Sequence, residues 1–331
     1  MKKNQIIKWS VLAVLVIVLC FAPRILNNNY YQQVANNALI YTIVVLGLNF
    51  ITGLTGQMVL GMSGVFAIGA YVSSILYLRG WTFFPCLLAV IVAGILVGVI
   101  IGFPCLRLKG IYLAICTMGF GEIVRICASN LENLTGGTIG LRDIGGVHFT
   151  QSLALMGQRN VWYVILAFFV IAVWFASRVQ HSPLGMTFLS LKDNETASST
   201  LGINNMAQKL KAFILCCVFA SIGGMLYAAS TGYIAPTDFS YDMSVRYVMM
   251  LIIGGIGTVP GAIIGGITVT VVPELLRFAS NYYWLCFGAV TVVMVVLKPY
   301  GLYSIFRDLY KKLTGKTRTA PAAPANNEKG R

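Results

Sequence analysis

Acidic residues are so few in this sequence that each can be weighed singly, and one stands where an acid is expensive. Glu122 sits in Gly119-Phe120-Gly121-Glu122-Ile123-Val124-Arg125, within an otherwise apolar run, and Arg125 follows three residues later on the same helical face. A carboxylate at membrane depth costs several kcal/mol unless it is paired or wet, so Glu122 is a candidate for handling a proton or a solute. The competing reading is an internal pair with Arg125. Other chemistries lack their residues. Gly315-Lys316-Thr317 ends like a Walker A loop, but the earlier glycine would fall at Tyr310, so nucleotide binding by that route is excluded. There is no HExxH or GxSxG, and His148 and His181 both fall in loops. The eight cysteines are scattered through apolar segments without CxxC spacing and read as small buried hydrophobes. No catalytic group, metal site or cofactor is expected.

A second kind of chemistry needs only backbone. Gly254-Gly255-Ile256-Gly257-Thr258-Val259-Pro260-Gly261 breaks an apolar run, and so does Gly53-Leu54-Thr55-Gly56-Gln57. Breaks of this kind are tolerated in a membrane only where protein or a water-filled path satisfies the freed N–H and C=O groups. Such groups suit an uncharged or zwitterionic solute that needs hydrogen bonds rather than a counter-ion. Thr55, Gln57, Gly121, Glu122, Gly254, Gly255, Gly257 and Thr258 are the candidates for lining a path. Gly94, Gly98 and Gly102, spaced four apart, read as a helix-packing face. Gly257, Gly261 and Gly265 have the same spacing and read equally as packing or path.

The elements that position these residues must be membrane helices. Of 331 residues, 57% are hydrophobic and only 10% charged, with a net charge of +14. Mean hydropathy is +0.79. A soluble domain carries about a quarter charged residues, so a soluble enzyme, a nucleic-acid-binding protein and a disordered scaffold are excluded. At about 20 residues per span the chain holds about eight to ten. The fold expected is an all-α polytopic membrane protein. Apolar segments fall at 9–22, 34–52, 57–78, 83–103, 110–128, 161–177, 209–230, 245–277 and 281–297. The first is read as a retained helix, because Leu19-Cys20-Phe21-Ala22-Pro23 is a poor cleavage site. The stretch 245–277 is either two short helices or a re-entrant pair.

Charge sets the orientation. With the N-terminus inside, seventeen of the 24 Lys and Arg residues fall inside and four, Arg24, Arg79, Arg142 and Arg159, fall in outer loops. That asymmetry is the positive-inside pattern. Both termini are then cytoplasmic, giving eight spans plus a re-entrant pair, or ten. The basic excess therefore reports topology and not an anionic partner. Residues 1–310 form the membrane domain, and 311–331 a basic tail expected to be disordered.

Two loops remain. The outer one, 129–160, contains Leu134-Thr135-Gly136-Gly137-Thr138. The inner one, 178–208, runs from Ser182-Pro183-Leu184-Gly185 to Glu195-Thr196-Ala197-Ser198-Ser199-Thr200-Leu201-Gly202. A short amphipathic helix stopped by Gly202 could lie in a partner's groove. A plain solvated loop is the alternative.

Glu195-Thr196-Ala197 with Gly202 resembles the EAA loop by which ABC importer permeases dock on their ATPases. The surrounding text resembles the branched-chain amino-acid permease family on its LivM-type side. The matching segments begin with Asn49-Phe50-Ile51-Thr52-Gly53-Leu54-Thr55-Gly56-Gln57, Leu108-Lys109-Gly110-Ile111-Tyr112 and Gly119-Phe120-Gly121-Glu122. They continue with Leu134-Thr135-Gly136-Gly137-Thr138, Leu201-Gly202-Ile203-Asn204 and Ile253-Gly254-Gly255-Ile256-Gly257-Thr258. Thr196 and Ser198 depart from the usual alanines of the loop. The resemblance implies a multi-pass permease subunit in a bacterial inner membrane, not itself an enzyme. It also implies a LivH-type permease, two ATPase subunits and an extracytoplasmic binding protein as partners. Leucine, isoleucine and valine would be the substrates, with urea, short amides or other amino acids as alternatives. Pro183, Gly185, Glu195, Thr196, Ala197 and Gly202 would couple to the ATPases. Thr135, Gly136, Gly137 and Thr138 would contact the binding protein. An ion-coupled secondary transporter using Glu122, or a membrane scaffold, are the other classes.

Overall fold

The computed structural model describes residues 29–144 except 106 and 109, then 147–150, 153–155, 158–275, 288 and 301–303. The expected spans at 9–22 and 281–297, both termini and the 311–331 tail lie outside the described residues.

Helix α1 (Asn29–Leu48) runs without interruption into a π-helical turn, Asn49–Leu54. Then come α2 (Met62–Leu78), α3 (Phe83–Cys105), α4 (Ile111–Asn130) and α5 (Gln158–Gln180). Two short helices follow, α6 (Pro183–Asp193) and α7 (Glu195–Thr200). The chain continues with α8 (Asn205–Thr231), α9 (Tyr241–Gly254) and α10 (Val259–Leu275). Among the described residues, five helices are long and apolar enough to cross a membrane, and α2 and α10 are shorter apolar helices. The architecture is that of a multi-pass helical membrane protein. One departure from an all-helical chain is an antiparallel hairpin in the outer loop, β1 (Val147–Thr150) with β2 (Leu153–Leu155). Outside the lipid a β-branched and aromatic segment can pair as a hairpin, since no span has to satisfy its backbone internally.

Helix α8 is the hub, and glycines set how close its neighbours come. A Cβ at Gly94, Gly98 or Gly102 would press on Ser221 and Val218, on Ile214, and on Leu210 and Phe213, in that order. That face is helix packing, as its spacing predicts, and the descending order makes α3 antiparallel to α8. A Cβ at Gly69 would strike the Ser221 backbone and one at Gly224 the Phe66 carbonyl, so α2 and α8 touch backbone to backbone. Gly47 faces Phe219, while Asn36 Nδ2 donates to Ser230 Oγ at 3.1 Å, so α1 is antiparallel to α8. Thus α1 and α3 end, and α2 and α8 begin, at one end of the bundle. That end, which also carries α6 and α7, is the one the charge count expects to be inside.

The ambiguous stretch 245–277 resolves as two helices, α9 and α10, joined by residues 255–258. A Cβ at Gly265 would strike the Met250 carbonyl, and one at Gly254 would strike Gly261. Gly261 and Gly265 therefore serve packing within the α9–α10 hairpin. Gly255 (φ +125°) and Gly257 (φ +83°) take backbone conformations that side chains oppose, which is how four residues reverse the chain. Towards the outer end, Tyr41, Phe66, Tyr227, Phe239 and Tyr247 stack and tilt against one another with centroids 5.4–6.5 Å apart.

Candidate functional site

The two glycine breaks, 200 residues apart in sequence, meet at the inner end and touch the inner loop. The π turn brings Asn49 to where its Oδ1 accepts the Gly257 N–H at 2.9 Å. Gly53 must be bare for this, because a Cβ there would collide with the Asn49 carboxamide and approach Gly257 N. At the end of the π turn, Thr55 Oγ1 donates to Ile51 O at 2.6 Å and Gln57 N donates to the same carbonyl at 3.2 Å. Gln180, at the last residue of α5, clamps the second break: its Nε2 donates to Gly257 O at 3.1 Å and its Oε1 accepts from Val259 N at 3.3 Å. Thr258 Oγ1 donates to Gly255 O at 3.1 Å and accepts from Gly261 N at 3.2 Å. The breaks are thus junctions between helices at the inner end, with their freed backbone groups paired to side chains.

The inner loop is folded into short helices, although many of its residues are exposed. Ser182 caps α6 through Gly185 N at 3.4 Å, with Pro183 at the first helical position, where its missing N–H costs nothing. Gly185 is buried, and a Cβ there would strike the Val179 and Gln180 carbonyls, so the tight approach needs glycine. Asn194 caps α7, its Oδ1 accepting from Thr196 N at 2.9 Å and Ala197 N at 3.0 Å. Gly202, at φ +79° with open space around it, ends α7 because the turn needs a left-handed residue there, not because room is short.

Glu195 ties this loop to the bundle. Its Oε1 accepts from Lys209 Nζ at 2.5 Å and from Gln57 Nε2 at 3.2 Å, and Asn205 Nδ2 donates to its backbone oxygen at 2.6 Å. The Lys209 side chain is 5% exposed and the Gln57 residue 9%, so these contacts are largely desolvated. Lys192 Nζ donates to Gly53 O at 3.0 Å. Pro183, Thr196, Ala197 and Gly202 face outward, together with the apolar Met186 (66% exposed) and Leu201 (79%). The residues expected to couple thus divide into an outward set, and Gly185 and Glu195, which hold the loop in place.

The remaining candidates lie elsewhere. Gly121 is buried in the contact between α4 and the start of α2, near Gly61 and Gly64. Glu122 forms an ion pair with Arg125, whose Nε lies 3.0 Å from both carboxylate oxygens; the pair is partly exposed on α4, away from the inner junction. In the outer loop, Thr135 is buried, donating its hydroxyl to Ala128 O at 2.6 Å and Leu131 O at 2.7 Å. Gly136 and Gly137 have positive φ, and Gly137 is buried, so of the four outer-loop residues only Thr138 is exposed. The segment is fastened to the α8–α9 connection by the Leu141–Ile234 bridge. Asn49, Gln180, Lys192 and Lys209 are junction residues that the pattern did not single out. The two lysines entered only as inside charges, and Asn49 only within a matching segment. Among the described residues there is no cluster of His, Cys, Asp or Glu that could hold a metal ion.

Comparison with known proteins places this geometry. A sequence model of the family described as "Branched-chain amino acid transport system / permease component" matches residues 30–297. The high-affinity branched-chain amino acid transport system permease protein LivM of Salmonella typhimurium is 33% identical over 309 residues, covering 86% of this chain and 73% of that protein. LivM of Escherichia coli K12 is 32% identical over 335 residues, 94% of this chain and 79% of the relative. The permease protein LivH of S. typhimurium is 22% identical over 305 residues, 82% of this chain and 95% of the relative. No solved structure matches the chain. With helices that span, breaks that meet and a family match over most of its length, the chain belongs to the branched-chain amino acid transport permease family.

Proposed function

We propose that the chain is a LivM-type permease subunit of an ATP-binding-cassette importer in a bacterial inner membrane, carrying leucine, isoleucine and valine. The observation that carries this reading is the inner loop. It is folded into two capped helices, presents Met186, Thr196, Ala197 and Leu201 outward, and is hydrogen-bonded on its other side to the first helix break, which Asn49 in turn joins to the second. A surface with exposed large apolar residues beside small ones fits a partner groove. A loop wired to the breaks passes on what the partner does. Two ATPase subunits would occupy the inner face, a LivH-type permease would complete the path, and an extracytoplasmic binding protein would deliver substrate near Thr138. Taking 9–22 and 281–297 as spans gives ten, with both termini inside. Thr55, Gln57, Gly254, Gly255, Gly257 and Thr258 form the inner mouth of the path, while Gly121 and Glu122 belong to its α2–α4 side. The Arg125 partner of Glu122 argues against a proton-coupled carrier, since the carboxylate is already engaged in an ion pair within its own helix.

Co-purification followed by reconstitution tests the reading. The chain should co-elute with ATPase subunits, and vesicles holding the complex should take up leucine only with ATP and binding protein. Gly202→Pro should abolish ATP-coupled uptake while membrane insertion survives. Active uptake by the chain without any ATPase would overturn the reading.

A further inference from the structure

Lys192 occupies a position that the docking role of the inner loop does not require. It lies in the last turn of α6, yet its ammonium leaves the loop and caps the Gly53 carbonyl at 3.0 Å, at the C-terminal end of the π turn. A cation there pairs with a free carbonyl and with the negative end of the helix dipole. Its stem lies across Gly56, where a Cβ would stand 3.2 Å from Lys192 Cγ, and Gly56 itself has φ +75°. The second break reaches the same point: a Cβ at Gly257 would lie 3.3 Å from Gly53 O and 3.9 Å from Lys192 Nζ. The Asn49–Gly257 bond at 2.9 Å then joins the two breaks directly. One ammonium on the loop therefore touches the place where both breaks converge.

Resting on the docking reading of the inner loop, we propose that Lys192 is the positioning residue that latches both helix breaks to α6, so that displacement of α6 uncaps Gly53 O and releases the inner junction. The neighbouring contacts divide the work. Glu195 is held by Lys209 on α8 and Gln57 beyond the π turn, so α7 follows the bundle wall, whereas Lys192 follows the π turn itself. A π turn is a rare winding, mostly a single turn within an α-helix and frequently at functional sites. Removing the cap leaves the Gly53 carbonyl without this donor in a place where backbone groups need partners.

The test uses the intact complex in vesicles, with radiolabelled leucine as the probe, comparing Lys192→Met and Lys192→Arg. Lys192→Met should keep ATP hydrolysis within about twofold and lower leucine uptake per ATP by about tenfold, whereas Lys192→Arg, which can still donate to Gly53 O, should retain most of the ratio. Hydrogen exchange on the purified full chain reads the latch without any transport. Amides in 53–58 and 255–259 should exchange at least about threefold faster in Lys192→Met, with α3 and α8 unchanged. An unchanged uptake-to-ATP ratio in Lys192→Met, or unchanged exchange at both breaks, would overturn the latch. A reference complex that takes up no leucine with ATP would instead overturn the proposed function, and the exchange result would still judge the latch.

Discussion

Glu195 shows how much one side chain can be asked to do. It neutralises a lysine whose side chain is 5% exposed while also accepting from Gln57. Removing one partner of a desolvated pair leaves the other's charge uncompensated, which costs more than the pair's net worth. The Glu195 side chain is 29% exposed, so the full buried-pair penalty does not apply. Glu195→Ala should destabilise the chain by about 1–3 kcal/mol, and Glu195→Gln, which keeps an oxygen for both donors, by about half as much. Thermal unfolding of the purified chain in detergent checks the order, and equal losses would show that shape rather than charge matters. The Glu122–Arg125 pair could be read from sequence, because a spacing of three fixes proximity on any helix. The Glu195–Lys209 and Gln57–Glu195 contacts could not, since they span 14 and 138 positions and depend on how α7 docks.

At the scale of elements, glycine decides which helices touch. Gly265 and Gly119 both sit in apolar helices and look alike in the sequence. The structure separates them: a Cβ at Gly265 would strike the Met250 carbonyl, while one at Gly119 meets nothing within 4 Å. Gly265→Ala must therefore push α9 and α10 apart, at a cost of about 1–3 kcal/mol. Gly119→Ala should be neutral or stabilise α4 by up to about 1 kcal/mol, because alanine is the better helix former. Melting temperatures of the two variants test this contrast, and a larger loss for Gly119→Ala would contradict the packing described. The four-residue glycine spacing announced close approach in both sets. It could not say that Gly261 and Gly265 face the other half of their own hairpin, because that depends on the reversal at Gly255 and Gly257.

For the molecule as a whole, the charge asymmetry and the helix directions agree. Arg107 packs over Phe103 and Arg178 over Trp174 at the end where α6 and α7 lie, while Arg142 packs over Tyr233 at the opposite end. Cations stacked on aromatic rings at both ends are what interfacial anchoring needs. Introduced cysteines test the sidedness, with labelling of the unmodified chain as background. Thr138→Cys should react with an impermeant maleimide in intact cells, and Ser199→Cys only after permeabilisation. Labelling of both from outside would refute the orientation.

The sequence by itself determined that the chain is built for lipid and where most of its helices lie, and it set the expectations of which end is inside and which segment meets a partner. These follow from composition, segment length and charge counting, all of which are local or additive along the chain. Only the tertiary structure decided that the two glycine breaks are one junction, that Gln180, Lys192 and Glu195 fasten the inner loop to it, and that Thr135 and Gly137 are buried supports. Those facts depend on backbone groups finding partners up to 208 positions away, from Gly257 to Asn49. In a membrane an unpaired backbone group is costly, so such partners have to be found. Which one is found is set by packing and not by spacing.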